Sequence, residues 1–316
     1  MKLQFEEYVL DIAEQVSKSV GDTLELSTTR WISRPIGKEE VKDATLAFYV
    51  DGKRRTDDIV LLISNFSFPG VVEADVAQAR EIATQVSRDV ARHIAAPVNE
   101  GRFGKQTYAA FSRLSPVSNL RLVRALQKNR AASKILPWTV KLAEETRQYR
   151  DASPDFERYF VDPLERLHDD EALSDKVRER AVEYLGFVRN REANLFTTVQ
   201  HGDFWIGNVF FERRIFEDIN PSLGDFSIID WRGARLDGYP CIDWMRFCSS
   251  MFRTGSGTND RLIHAYIDAL GISTYEYKVY CFLALGRLGG ELDHFPKERY
   301  VTACDRTLAF IDAQPV

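Results

Sequence analysis

Residues 197–211 read TTVQHGDFWIGNVFF, and what His201, Asp203 and Asn208 are doing between two apolar runs decides how the whole chain is understood. The flanking TTVQ and VFF have the β-branched and aromatic composition of strands. Strand interiors disfavour Gly and Asp, because both give up packing and Gly adds an entropic cost. An acid, an amide and two glycines between such runs therefore mark a loop that carries chemistry rather than a continuous strand.

The partners of that loop lie in residues 226–247, FSIIDWRGARLDGYPCIDWMRF. A second short strand runs into Asp230, so Asp203 and Asp230 are expected to meet at one edge of a small sheet. Magnesium takes oxygen ligands in near-octahedral geometry, commonly one or two carboxylates, with waters and phosphates completing the set. Asn208 and Asp230 suit that need. Asp203 is then left to accept or orient the proton of an attacking hydroxyl. Taken singly, the residues have plainer readings: an Asp beside Gly forms turns, and Asp230 before Trp231 simply ends a strand.

Around this segment the chain has an ordinary globular composition. Its 316 residues, 44% hydrophobic and 28% charged, suffice for two domains or one domain of two lobes. The formal net charge of -5 argues against a general attraction to nucleic acid or to an anionic membrane. Cys241, Cys248, Cys281 and Cys304 form no CxxC pair, so buried thiols in a reducing cytoplasm are expected rather than a zinc site or a disulfide framework. The opening MKLQFEEYVLDIAEQVSKSV carries acids among its apolar residues and no small-residue cleavage site, unlike a signal peptide. No apolar run approaches the roughly 18 residues of a membrane span.

Periodicity supplies the rest of the outline. Phe5, Val9, Ile12 and Val16 recur at helical spacing, with Gly21 as a stop. Strands are expected in ELSTTRWIS (25–33), ATLAFYV (44–50) and DIVLLIS (58–64), then one helix over residues 73–94 and a hairpin turn at 101–104 leading into another strand. From Ser118 to about Asn194 the pattern is helical, interrupted at SPDF and DPLE. EDINPSLGD (217–225) reads as a hairpin tip. After Asp243 the pattern is helical to Phe310, with breaks expected at Gly271, Gly286, Gly289 and Gly290. The result is an α+β chain of two lobes, a strand-rich one over residues 1–115 and a mainly helical one over residues 116–316.

The order His-x-Asp, four residues, Asn, then an apolar strand ending in Asp resembles the catalytic and metal-binding loops of the protein-kinase-like superfamily. With HGD and IDW in place of the protein kinases' arginine-containing loop and DFG, the chain is similar to the aminoglycoside phosphotransferase and choline kinase branch. That branch places a further Asp after the metal Asp in a segment like G..P..D, and GYPCID supplies Asp243. The likeness is specific over residues 197–247; elsewhere it rests on the order of elements. It implies a protein-kinase-like two-lobed fold, with Asp203 as catalytic base or orienting residue. It further implies that Asn208 and Asp230 hold magnesium on the phosphates of ATP or GTP, that His201 braces the loop, and that Asp243 anchors it through backbone hydrogen bonds.

The chain departs from that family in its first lobe. The stretch that should carry a strand Lys reads IVLLIS, and Leu62 stands at the matching position. Glu81 is the best candidate for the helix Glu that would pair with such a Lys, and Glu73 is the alternative. No glycine-rich phosphate loop is present; the turn RPIGKEEVKD has one glycine, Gly37, beside Lys38, which becomes the candidate cation for the phosphates. Two classes of function follow. One is a small-molecule kinase acting on a hydroxyl of a sugar, amino sugar, amino alcohol or antibiotic. The other is a pseudoenzyme that binds a nucleotide or a protein partner without turnover; reuse of the site for nucleotidyl transfer is a third outcome. Arg232, Arg235 and Arg246 either pair with local carboxylates such as Asp237 or Asp243, or face an anionic or neutral acceptor.

Overall fold

In the computed structural model the chain divides into two compact units, residues 1–127 with 207–232, and residues 128–206 with 233–316. The structure describes residues 2–21, 23–26, 29–32, 45–212, 222–253, 255–292 and 296–313.

The first unit is built on a five-stranded antiparallel sheet. Its strands are β1 (Arg30–Trp31), β2 (Thr45–Val50), β3 (Ile59–Ser64), β4 (Asn99–Phe103) and β5 (Gln106–Ser112), arranged β1-β2-β3-β5-β4. β2 and β3 pair from Thr45↔Ser64 to Val50↔Ile59. Side chains alternate across a pleated strand, and here the two faces have different tasks. Leu46, Phe48, Val50, Ile59, Leu61 and Ile63 form a core with Val9, Ile12, Ala13 and Val16 of helix α1 (Lys2–Ser19). Each fully buried aliphatic side chain contributes about 1.5–3 kcal/mol, so this face is what seats α1 on the sheet. The opposite face carries Ala47, Tyr49, Val60 and Leu62. Against it packs helix α2 (Val71–Thr84), whose Val72 and Val76 meet Ala109, Leu62 and Phe111.

Several expectations need correcting. The run read as one helix over residues 73–94 ends at Thr84, and a short helix α3 (Arg88–Ala91) follows. Ser87 lies between them in extended conformation at the start of α3, a place where Ser competes with helix continuation. Of residues 25–33, only Arg30–Trp31 is strand among those described. The supposed interruptions SPDF and DPLE are helix starts: α5 (Ser153–Phe156) passes through a π turn into α6 (Asp162–Asp169). Pro163 lies in the first turn of α6, where its missing N–H costs nothing. Gly286 does not break its helix either. A Cβ there would lie 1.8 Å from the carbonyl oxygen of Pro163, so the glycine permits close helix packing.

The second unit holds a three-stranded sheet, β10 (Arg235–Gly238), β7 (Phe196–Gln200) and β6 (Gln148–Tyr149), in that order. Around it lie α6, α7 (Asp175–Arg189), α8 (Cys241–Met251), α9 (Gly257–Leu270), α10 (Thr274–Gly289) and α11 (Lys297–Asp312). All four cysteines are free and buried. The division between units falls within helix α4 (Arg121–Glu145).

The hairpin of β8 (Val209–Phe211) and β9 (Phe226–Ile228) belongs to the strand-rich unit, although a simple two-part split groups it with the helices. Backbone bonds explain this. Ile228 donates to the His93 carbonyl at 2.7 Å and accepts from Ala95 at 3.0 Å, while Phe211 and Ser115 exchange two bonds of 2.8 Å. The buried His93 ring also stacks on Phe226, with centroids 3.9 Å apart. Residues 217–221 of the expected hairpin tip lie outside the described residues. Among the described residues no helix is long and apolar enough to cross a membrane.

Candidate active site

In the second unit, β7 is buried along its whole length and stops at Gln200. The next three residues are then fixed by their backbones. The N–H groups of His201 and Gly202 donate to the two carboxylate oxygens of Asp243, at 2.5 and 3.1 Å, from the first turn of α8. Asp203 donates its N–H to Nδ1 of the buried His201 at 3.3 Å, which makes that nitrogen the acceptor. Arg246 donates to the Gly202 carbonyl. Gly202 itself has φ +84°, and a Cβ would lie 2.4 Å from the Gly233 carbonyl oxygen, so only glycine fits. Phe204 then buries its ring against Phe247, with centroids 4.9 Å apart. The Asp203 side chain is left exposed. Burial pushes the Asp243 carboxyl up to about 6, and the Asp203 charge adds to this, while Arg246 and the two N–H donors act against it.

In the first unit, the β8–β9 ladder brings two other predicted residues together. Val209 pairs with Ile228, and Ile229 donates to the Asn208 carbonyl at 3.1 Å, so Asn208 and Asp230 leave the same end of the ladder. Asp230 has φ +65°, a left-handed conformation that Asp adopts more readily than most residues other than Gly. Trp231 follows it, with the indole N–H bonded to the Ile228 carbonyl at 2.9 Å. Asn208 and Asp230 both line a cavity of about 520 Å³ whose apolar wall is the second face of the sheet, Leu62 included.

Helix α2 contributes an acid to this cavity, and it is neither of the two expected. Glu81 is exposed and does not line the cavity, and Glu73 pairs with Arg102 at the surface. Asp75 lines it instead. Burial raises the Asp75 carboxyl to about 6 and the charge of Asp230 adds to the rise; backbone N–H groups of Arg232 and Trp231, and the Arg232 charge, oppose it. Its Oδ1 is buried without a hydrogen-bond partner among the described residues. The sequence did contain the signal: Asp75 falls three residues after Val72 and four before Ala79, on the helix face that packs inward. Lys38 lies outside the described residues.

Among the described residues no three His, Cys, Asp or Glu side chains form a metal-binding group. The oxygen donors of Asn208 and Asp230, beside the unpartnered Asp75 oxygen, fit magnesium, which takes few protein ligands and many waters or phosphates. Two of the three arginines in question have local partners among the described residues. Arg235 pairs with Glu291, Arg246 binds the Gly202 carbonyl, and Asp237 is held by Tyr159 and Arg287 at 2.8 Å each.

No family model matches the sequence, and no curated protein does. Solved structures do resemble it. A protein described as a fructosamine-3-kinase from Haemophilus somnus 129PT is 11% identical, with a TM-score of 0.48 over 86% of this chain and 90% of that one. An aminoglycoside-3'-phosphotransferase of type VIII is 14% identical, with a TM-score of 0.44 over 87% and 97%. An ethanolamine kinase from Plasmodium vivax is 9% identical, with a TM-score of 0.49 over 92% and 83%. At such identities the chemistry has to be read from this chain's own residues. By name all three are kinases or phosphotransferases.

Proposed function

We propose that the protein is a phosphotransferase that moves the γ-phosphate of ATP or GTP to a hydroxyl of a small molecule such as a sugar, amino sugar, amino alcohol or antibiotic. The observation that supports it is the shared cavity: Asn208 and Asp230, with the half-buried Asp75 beside them, open on an apolar wall, and the volume of about 520 Å³ suits a small ligand. In this reading the apolar wall takes the base. Asn208 and Asp230 hold magnesium, which when bound offsets charge on the phosphate oxygens. Asp203 accepts or orients the acceptor's hydroxyl proton, and His201 steadies it through the Asp203 N–H. Phosphoryl transfer depends chiefly on such positioning and charge.

A second reading is favoured by Leu62, which sets an aliphatic side chain on the cavity wall where the resemblance calls for a Lys. Under it the protein binds nucleotide without transferring phosphate. Thermal unfolding with ATP or GTP, with and without magnesium, is the first test, since a ligand that binds only the native state raises the midpoint. The second is a screen of hydroxyl compounds with γ-labelled ATP. A magnesium-dependent rise with label transfer is expected; a rise with no transfer to any acceptor selects the second reading. Transfer of α-label instead of γ-label indicates nucleotidyl transfer.

A further inference from the structure

A cavity that takes nucleotide phosphates has to offset several negative charges, and this one already contains carboxylates. Its lining includes the acids Asp75 and Asp230, while the β3 position that would carry a cation is Leu62. Among the described residues that line it, the single cation is Arg232. Arg232 is exposed, two residues after Asp230, and its backbone N–H is tied to the carboxylate of Asp75. That tie fixes the root of the side chain while its head stays in water, and its charge is felt at Asp75.

We propose that Arg232 is the phosphate-binding cation of this cavity, supplying from the segment after Asp230 the positive charge that β3 does not carry. The proposal rests on the nucleotide reading above. A guanidinium suits the task because its planar fork of donors matches two phosphate oxygens and it keeps its charge beside carboxylates. Asp75 then has two effects: its hydrogen bonds hold residues 231 and 232 in place, and its negative charge keeps the guanidinium on the cavity side. Arginine and its helix acid thus replace a strand lysine and its helix acid, with the cation moved to another element.

Calorimetric titration of the full-length protein with ATP, ADP and adenosine, each with magnesium, tests this. The variants are Arg232→Gln, Arg232→Lys and the double variant Arg232→Gln with Leu62→Lys. Arg232→Gln should weaken ATP binding roughly 10- to 100-fold, the scale of a charge-assisted hydrogen bond, and ADP binding less. Adenosine, which has no phosphate, should bind within about twofold of the parent. Arg232→Lys, which keeps the charge but not the fork, should fall between the parent and Arg232→Gln, and recovery in the double variant would show that both positions serve the same phosphates. Equal losses for ATP and adenosine would overturn the proposal, because they would assign Arg232 to the shape of the cavity. So would an Arg232→Gln protein that binds ATP as tightly as a nucleotide-binding parent, with the functional reading left standing. A parent that binds none of the three ligands removes the functional reading itself.

Discussion

The loop at residues 201–204 and the cavity around Leu62, Asp75 and Arg232 solve comparable problems in different ways. In the loop, consecutive backbone groups are held by specific partners: two N–H groups by one carboxylate, a third by the His201 ring, and a carbonyl by Arg246. Such geometry dictates residue types at fixed spacing, including a glycine at φ +84°. In the cavity the requirement is one of charge, which any element that reaches it is able to meet. The acid comes from a helix and the cation from the turn after Asp230, with an aliphatic residue on the strand. Hydrogen-bond geometry thus ties residue types to fixed spacing, whereas a requirement for charge alone leaves the supplying element open.

The largest expected effect breaks this comparison most directly. Asp203→Asn keeps the side-chain shape and removes the proton acceptor, so turnover should fall by about 10²–10⁴-fold with nucleotide affinity unchanged. Steady-state kinetics beside calorimetry would check it. A matching loss of nucleotide affinity would mean that loop and cavity do not act separately.

Next comes the anchor of the loop. Asp243→Ala leaves the N–H groups of His201 and Gly202 without their acceptor and should cost about 2–4 kcal/mol in urea unfolding. Asp243 also predicts a pH dependence. Its folded-state value of about 6 lies above the ordinary 3.8, so the folded protein holds the proton more tightly than the unfolded chain does. The resulting stabilisation is complete below the ordinary value and is lost as pH rises through about 6, a change of roughly 3 kcal/mol. Burial raises that value, Asp203 adds to the rise, and Arg246 with the two N–H donors holds it back. Asp243→Asn should flatten this part of the profile between about pH 4 and pH 7. Asp75, raised in the same direction, retains its own slope in both proteins. Identical profiles for parent and Asp243→Asn would reject Asp243 as the source.

What the sequence revealed follows the same divide. The α+β class and the strands 45–50 and 59–64 were readable because alternation acts over a few neighbouring residues, whereas the bonds of Asp243 to His201 and Gly202 span 42 and 41 positions and were expected only from the family resemblance. The inward turn of Asp75 was not read, since Glu73, Asp75 and Glu81 share one helix and only the packing of Val72, Val76 and Ala79 decides which acid faces the cavity. Pro163 and Gly286 were misread for a related reason. Proline starts a helix as readily as it ends one, and a helical glycine also answers to whatever packs against it.

The smallest expected effect sharpens the comparison at its weakest side. Lys38 follows Gly37 in RPIGKEEVKD and is the cation that local sequence offers for the phosphates. If charge is free to move between elements, one well-placed cation is enough, and Arg232 lines the cavity while belonging to the segment that carries Asp230. Lys38→Ala should then weaken ATP binding by less than about 1 kcal/mol, the scale of an exposed charge pair, and Lys42→Ala by less still. Titrations at two ionic strengths separate contact from distant attraction, because salt screens exposed charges over about 10 Å at 0.1 M. A Lys38→Ala loss as large as that of Arg232→Gln, persisting at high salt, would place Lys38 on the phosphates too. The charge missing at Leu62 would then be divided between the sequence before β2 and the segment after Asp230.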